Sequence, residues 1–595
     1  MDIIAVLSQE LSVPKTQIES AVKLMDEGNT IPFIARYRKE VTGGLDDTIL
    51  RNLEERLHYL RNLEKRKQEV LELIAASGKL DDKQMEQMQK ALEEAKMLSE
   101  VEDLYRPYKQ KRKTRASVAR EKGLEPLAKF MLMQKPGGDL EQEAARYVNA
   151  EKGVEDVEQA LSGAGDILAE EISDSAQIRS RLREYLQKNA QISTTKGTKE
   201  NQIYDMYSEY SESVRKIAPH RILAIDRGER EEALKVSVEI DQQVCIGMIE
   251  NQVIHRNSPF AKVLHEVCED SFKRLIFPSL ERELRAQLTE KACAQAIGVF
   301  SENLKNLLMQ PPVKGCVTMG FDPAYRTGCK IAVVDETGKV LDTTVVYPTP
   351  PQNRTEQAKQ VLGSLIEKYG VTVIAIGRTA SKESEIFVAE LLGELNPKLE
   401  HKVSYMVVSE AGASVYSASK LGAEEFPQFD VSLRSAVSIA RRLQDPLAEL
   451  VKIDPKAIGV GQYQHDMPPK EMDAALGGVV EDCVNKVGVD LNTASQSLLS
   501  YVAGINAAVA KNIVLYREEN GSFTKRSQLL SVSKLGKKAY EQCAGFLRVS
   551  ESENPFDHTG VHPESYEAAK QLLTLCGYQM QDVLSGEIAQ LPERV

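Results

Sequence analysis

The stretch "GFDPAYRTGCKIAVVDETGKVL", Gly320 to Leu341, decides the fold of the central part of the chain. It contains short runs rich in valine and isoleucine, joined by turns such as "DETGK". Together with the flanking residues, it predicts three strands at 316–322, 329–335 and 340–347. Because the connections are short, we expect these strands to form an antiparallel meander.

The residues after the meander alternate between helical and strand patterns. We expect a helix at 353–369, a strand at "VTVIAIG", a helix at 383–394, a strand at "VSYMVV" and further helices beyond Ala411. Three antiparallel strands followed by alternating helices and strands is the order of the RNase H-like fold. We therefore predict an α/β domain of this fold at 313–452.

Carboxylates near the predicted strand ends are the candidates for catalysis. Asp322 ends the first strand, Glu410 ends the run "VSYMVVSE", and Asp445 lies in "SIARRLQDPLAEL". A two-metal nuclease needs several acids that converge on two cations about 4 Å apart. Against this, "VTVIAIG" is followed by the cation Arg378, and an aspartate before a proline also initiates a turn. We read the three acids as a vestigial site and expect no metal or cofactor; Mg²⁺ enters only if the nuclease hypothesis holds.

The rest of the chain reads as helical. The 595 residues suffice for several domains, and residues 1 to 310 show helical patterns almost throughout, such as the leucine stripe from Leu50 to Leu63. The predicted fold class is therefore multidomain and mainly α with one α/β domain. The expected divisions are a helical N-terminal region at 1–200, a central helical region at 201–312, the α/β domain at 313–452, paired hairpins at 453–560 and a helical tail at 561–595.

Composition excludes several classes of protein. The net charge of −12 argues against bulk charge coating of nucleic acid, but it leaves local basic surfaces open. The eight cysteines include no C-x-x-C pair, which predicts reduced thiols rather than a zinc site. No apolar run approaches the length of a membrane span, and the N-terminus shows no secretory leader, so we expect a cytoplasmic protein.

Two similar segments, 498–523 and 529–549, each read as a helix, a short turn with a central glycine and a second helix. This helix-hairpin-helix pattern suits contact with nucleic-acid backbones, because glycine lets the main chain approach a phosphate and a helix start offers free N–H groups. The alternative is a pair of tight turns with solvated lysines. The candidate binding residues are Gly504, Lys511, Lys534, Gly536, Lys537 and Lys538.

A second basic segment, Arg106 to Lys122, holds eight basic residues and one acidic residue, with Tyr105 and Tyr108 alongside. Such a segment can neutralise phosphates and stack on bases, or it can be a solvated loop. Its candidate residues are Arg106, Lys109, Lys111, Arg112, Lys113 and Arg115. "FIARYRKEVTGG", 33 to 44, is a smaller cluster with the same two readings. His558 and His562 could chelate a metal, although we read this pair as structural.

The chain resembles the Tex family of bacterial transcription accessory proteins. The resemblance rests on segments from end to end, including "TIPFIARYRKEVTGGLDD" (30–47), "VEDLYRPYKQKRKTRASVAREKGLEPLA" (101–128), "GFDPAYRTGCKIAVVD" (320–335) and "VGVDLNTAS" (487–495). It implies a helix-turn-helix-like part in the N-terminal region, a YqgF domain of RNase H-like fold, tandem helix-hairpin-helix units and a C-terminal OB-fold RNA-binding domain. We expect that last domain to be missing after Val595. The sequence departs from the family pattern at two further places. One is Arg378 in "AIGRTASKES", and the other is Ala324, where the family generally has glycine.

These patterns favour a non-catalytic scaffold that binds RNA or DNA by its backbone, with RNA polymerase or ribosome-associated machinery as protein partners. Two other classes stay open. One is a metal-dependent nuclease or resolvase that uses Asp322, Glu410 and Asp445. The other is a protein-docking platform, whose partner binding would survive nuclease treatment.

Overall fold

The computed structural model describes residues 2–110, 112–378 and 381–591. The chain forms two compact units. The first comprises Met1–Lys15 and Asn52–Ala296, and the second comprises Thr16–Arg51 and Ile297–Val595. In the described ranges, no helix is both long and apolar enough to cross a membrane.

The first unit is mainly helical. Two long helices, Asp47–Ala76 and Phe277–Leu308, each contain one of the unit boundaries, and a π-helical turn, Ser271–Ile276, precedes the second of them. The other α-helices of this unit are Ile3–Leu11, Asp82–Glu94, Leu98–Tyr105, Arg115–Glu121, Glu125–Met133, Leu140–Ala145, Val157–Asp174, Ala176–Asn189, Pro219–Arg230, Gln242–Val253 and Ala261–Asp270.

A small sheet in this unit corrects the expectation of an almost wholly helical first half. Strands β1 (Gln191–Lys196), β2 (Glu209–Ser213) and β3 (Leu234–Glu239) form an antiparallel sheet in the order β2-β1-β3. The strands carry serine, threonine and charged residues, so their apolar signal is weak, although "KVSVE" alternates with the strand period. The expected boundary at residue 200 falls between the paired strands β1 and β2.

The second unit contains the predicted RNase H-like domain. Strands β4 (Thr318–Asp322), β5 (Cys329–Val334), β6 (Val340–Val346), β7 (Val373–Gly377) and β8 (Ser404–Val408) form one sheet in the order β6-β5-β4-β7-β8. The first three strands are antiparallel, whereas β7 and β8 run parallel to β4. The predicted strand order is therefore confirmed.

Helices cover both faces of this sheet. Thr355–Tyr369 and Ser381–Leu395 pack over one face, where Phe321 and Ile374 are fully buried. Helix Val431–Gln444 packs over the other through Ala436 and Ala440. Gly320 in β4 makes this second contact close, because a side chain there would overlap the main-chain oxygen of Ala436. Each fully buried large apolar side chain in such a core contributes about 1.5–3 kcal/mol.

Helices make up most of the remainder of the second unit, together with the two-residue parallel strands β9 (Val489–Asp490) and β10 (Leu547–Arg548). Its other α-helices are Lys15–Asp26, Ile31–Tyr37, Lys39–Thr42, Ala413–Ala418, Lys420–Glu425, Pro446–Leu450, Pro469–Val487, Gln496–Leu499, Ala507–Asn520, Lys537–Cys543, Tyr566–Leu575 and Asp582–Ser585.

Candidate nucleic-acid interface

The carboxyl ends of β4, β7 and β8 bring Asp322 and Glu410 together. Asp322 accepts a hydrogen bond from Ser435 and lies near the Glu410 carboxylate. Burial raises the pKa of Asp322 to about 6, with Glu410 adding to the rise and the Ser435 hydroxyl opposing it. Glu410 turns inward because Gly377, at the end of β7, has no side chain to exclude its carboxylate.

Asp445 does not join these two acids, which corrects the predicted trio. Helix Val431–Gln444 runs antiparallel to β4, so Ser435 lies near Asp322, whereas Gln444 donates to the main-chain oxygen of Cys316 at 2.9 Å. Asp445 caps the next helix by accepting from Ala448 N at 3.0 Å. It therefore lies near the residues that precede β4, at the opposite end of that strand from Asp322.

A buried arginine that no sequence pattern singles out lies beside Glu410. Arg442 is 3% exposed and donates to the main-chain oxygens of Ser409 and Ala411, both at 2.8 Å. Burial lowers its pKa, whereas Glu449 and Glu410 oppose that shift. In the described part of the chain, no group of three or more His, Cys, Asp or Glu side chains is placed to hold a metal ion. Two carboxylates beside a guanidinium do not fit a two-metal centre, which needs more oxygen ligands and less positive charge.

The paired hairpins are present, with a register that differs from the predicted one. Their second helices begin thirty residues apart, at Ala507 and at Lys537. Counted from these starts, Gly504 corresponds to Lys534, and both are left-handed, with φ of 79° and 66°. Gly536 corresponds instead to Asn506, since both are N-caps. The prediction that Gly504 and Gly536 occupy equivalent turn positions is therefore wrong.

Gly504 serves packing between the hairpins. A Cβ at this residue would lie 2.6 Å from Cβ of Gln542 and 3.2 Å from the main-chain oxygen of Ala539, both in the second hairpin. Its positive φ also favours glycine. Gly536, by contrast, has an extended backbone with φ of −80° and open space where a side chain would lie.

Three exposed lysines lie close in sequence to the start of helix Lys537–Cys543. Gly536 offers no side-chain cap, so the first N–H groups of this helix have no side-chain acceptor there. Lys534 and Lys537 are exposed, as is Lys511 on the first hairpin, and none of the three forms an ion pair with a described residue. Lys538 differs, since its ammonium donates to the main-chain oxygen of Glu27. We call Lys511, Lys534 and Lys537 the hairpin lysines.

The second basic segment lies in the first unit. Four of its cations are exposed and form no ion pair with a described residue: Lys109, Arg112, Lys113 and Arg115. Arg106 is half-buried and lies 3.8 Å from Asp103, and Lys111 lies outside the described residues. The segment borders a cavity of about 1240 Å³ whose wall also contains Glu125 and Glu171. Lys109 also lines this cavity, so the cavity wall carries charges of both signs.

His558 and His562 each contact a main-chain oxygen through Nε2. Nε2 of His558 lies 2.7 Å from the main-chain oxygen of Ser552, and Nε2 of His562 lies 2.9 Å from that of Glu541. The ring of His562 also packs against Tyr37, with centroids 5.0 Å apart. These contacts give both rings a structural role.

Family comparisons match most of the chain. The Tex-like protein N-terminal domain matches residues 1–75, the Tex central region-like family matches 135–300, and the Tex protein YqgF-like domain matches 316–444. The helix-hairpin-helix motif matches 484–548, and an HHH domain matches 554–593.

Individual relatives extend this similarity to the whole chain. The uncharacterized protein YdcI of Bacillus subtilis is 49% identical, over 98% of this chain and 81% of its own length. The transcriptional accessory protein Tex of Neisseria gonorrhoeae is 46% identical, over 100% of this chain and 77% of its own. The human S1 RNA-binding domain-containing protein 1 is 37% identical, over 99% of this chain and 65% of its own length. The chain therefore belongs to the Tex family of transcription accessory proteins.

Proposed function

We propose that this chain is a cytoplasmic transcription accessory scaffold that binds RNA or DNA through backbone phosphates, without reading sequence and without cutting the strand. The observation that carries the proposal is the surface of the second hairpin. There, Lys534 and Lys537 are exposed beside a helix start that has no side-chain cap. Cations and free N–H groups of this kind bind phosphate oxygens whatever the base sequence.

The placement of the acids supports a non-catalytic role. Asp322 and Glu410 share one end of the sheet with the buried Arg442, while Asp445 caps a helix near the other end. A metal-dependent nuclease needs its carboxylates on the same two cations. The human relative is named for an RNA-binding domain, which supports nucleic acid as the ligand class. Attachment to RNA polymerase or ribosome-associated machinery belongs to this proposal.

The test mixes the chain with end-labelled single-stranded RNA, single-stranded DNA and duplex DNA in the presence of Mg²⁺ or Mn²⁺. Native gels measure binding and denaturing gels measure cleavage. We expect shifted, intact strands whose affinity is the same for unrelated sequences. If about six phosphates are neutralised, affinity falls about a thousandfold between 50 and 200 mM salt.

The matched variants assign the surface. Changing all three hairpin lysines to Gln is expected to lower the slope of log affinity against log salt by about 2 to 3. The control changes Lys339, Lys398 and Lys402 to Gln, because these three lysines are also exposed in the second unit and form no ion pair with a described residue. A salt-independent affinity, or equal losses in the two triple variants, contradicts the proposal. New short products that disappear in Asp322→Asn would establish a nuclease instead.

A further inference from the structure

Two arginines from distant parts of the sequence converge on Gly560. Arg36 lies in helix Ile31–Tyr37, and Arg548 ends strand β10. Nη2 of Arg36 is 2.6 Å, and Nη2 of Arg548 is 3.2 Å, from the position that a Cβ on Gly560 would take. The two guanidinium groups are therefore neighbours, and they meet at a residue that has no side chain to separate them.

Main-chain groups and a tyrosine complete the surroundings of this pair. Nη1 of Arg548 donates to the main-chain oxygen of Gly545 at 2.5 Å, and Tyr37 donates its hydroxyl to the main-chain oxygen of Gly560 at 3.1 Å. Gly488 also faces Arg548, since a Cβ on Gly488 would lie 2.7 Å from Nη2 of Arg548. Gly560 and Gly488 thus let the two guanidinium groups approach the main chain closely.

The charges around the pair are unbalanced. Neither Arg36 nor Arg548 forms an ion pair with a carboxylate of the described residues, whereas Arg38 pairs with Glu541 at 3.1 Å and Glu564 at 2.6 Å. A third cation, Arg526, is fully buried behind them and donates to main-chain oxygens, including that of Leu547.

Asp557 is a buried carboxylate that contacts Arg526, and its hydrogen bonds are to other groups than Arg36 and Arg548. It accepts from the main-chain N of Arg526 at 3.1 Å, from Ser552 at 2.8 Å and from Tyr566 at 2.6 Å. Burial lowers the pKa of Arg548 to about 10, and the like charges of Arg526 and Arg36 add to the shift. Such a cluster lacks anionic charge, which an anion between Arg36 and Arg548 would supply.

Phosphate is the anion that suits this geometry. Each guanidinium is a planar fork that binds two oxygens of a phosphate, so two forks can share one phosphate group. The pair also belongs to the hairpin surroundings. Main-chain N and Oγ1 of Thr30, at the start of the Arg36 helix, both donate to Gln542 of the second hairpin at 2.9 Å.

We propose that Arg36 and Arg548 together hold one backbone phosphate of the nucleic acid that the hairpins bind. This inference rests on the proposed function and adds a contact from the N-terminal segment to it. The segment "FIARYRKE" is thereby a binding element as well as a packing element.

The test compares Arg36→Gln with Lys398→Gln in the full chain. Both residues are exposed in the second unit, and both changes remove one positive charge. Fluorescence anisotropy with labelled single-stranded RNA and DNA is measured between 50 and 200 mM salt. Arg36→Gln is expected to weaken binding about five- to tenfold for all sequences and to lower the salt slope by about 0.7 to 0.9. Lys398→Gln is expected to match the unmodified chain.

A second measurement separates the possible sources of phosphate. Thermal unfolding is followed with added pyrophosphate and with a phosphoserine peptide, and Arg36→Gln is expected to reduce the stabilisation by pyrophosphate. A variant that loses phosphopeptide binding but keeps the full nucleic-acid salt slope overturns the assignment to nucleic acid. An unchanged slope with intact binding by the unmodified chain defeats this inference alone. Absence of any nucleic-acid binding by the unmodified chain defeats the proposed function with it.

Discussion

The ends of strands β4 and β8 and the second hairpin both concentrate charge, but they treat it in opposite ways. At the strand ends, Asp322 accepts from Ser435 and lies against Glu410, and the nearby Arg442 is buried. At the hairpin, Lys534 and Lys537 are exposed and form no ion pair with a described residue. The difference shows that the charged groups at the strand ends contact other groups of the protein, whereas the hairpin lysines are exposed and available to a ligand.

Reversing charge on the hairpin is the strongest way to break this comparison. Lys534→Glu combined with Lys537→Glu is expected to weaken nucleic-acid binding about a hundredfold near 100 mM salt, because two phosphate contacts become repulsive. Anisotropy with one labelled strand measures the effect. The paired control, Asp322→Asn with Glu410→Gln, is expected to stay within about twofold of the unmodified chain. A larger loss in the control than in the hairpin variant would reverse the comparison.

Adding a methyl group to Gly504 and to Gly536 tests which of these two glycines is needed for packing and which faces open space. Gly504→Ala is expected to destabilise the fold by about 3 kcal/mol, because its backbone is left-handed and its methyl would overlap Gln542. Gly536→Ala meets open space and is expected to cost less than about 1 kcal/mol. Urea unfolding measures both changes. Equal losses would show that the second hairpin is packed like the first.

The pH dependence of stability tests whether Asp322, at the strand ends, is buried as the structure shows. Because folding raises its pKa from 3.8 to about 6, its contribution to stability is present at low pH and is lost as the pH rises through this window. Asp322→Asn removes the buried charge, so it is expected to be stabilising by about 3 kcal/mol at pH 7 and neutral near pH 3. Unfolding midpoints of both chains across pH 3 to 8 measure the difference. A variant whose stability stays parallel to that of the unmodified chain would show that Asp322 is not desolvated.

Asp445 offers the smallest effect. Asp445→Ala removes a helix cap and is expected to destabilise by about 1 kcal/mol, whereas Asp445→Asn keeps a capping oxygen and is expected to be nearly neutral. Neither change is expected to shift the pH dependence assigned to Asp322, since the two residues lie toward opposite ends of β4. Thermal unfolding of the two variants at pH 5 and pH 8 checks this. A common shift in both variants would place Asp445 in the Asp322 site.

The sequence predicts the RNase H-like strand order because its valine and isoleucine runs and its turn residues follow the strand period. It does not predict β1 to β3, whose polar side chains hide that period. The sequence pattern groups Asp445 with Asp322, but it does not show the direction in which helix Val431–Gln444 crosses the sheet. That direction is set by packing on Gly320, and it separates the two acids. The predicted equivalence of the two hairpins is displaced by two residues from the observed one. The reason is that Lys534, rather than Gly536, adopts the left-handed conformation that glycine usually marks. Arg36 and Arg548 are far apart in sequence, so only tertiary structure reveals the pair.

The inclusion of residues 16–51 in the second unit has a consequence during synthesis. Thr30 binds Gln542, which follows it by 512 residues. At a translation rate of about 5–20 residues per second, this segment leaves the ribosome roughly 25 to 100 s before its partner exists. Phe33 and Ile34 are fully buried in the finished fold, so we expect them to be exposed apolar side chains during that delay. We therefore expect this segment of the nascent chain to be open to chaperones until the residues around Gln542 and His562 have been made.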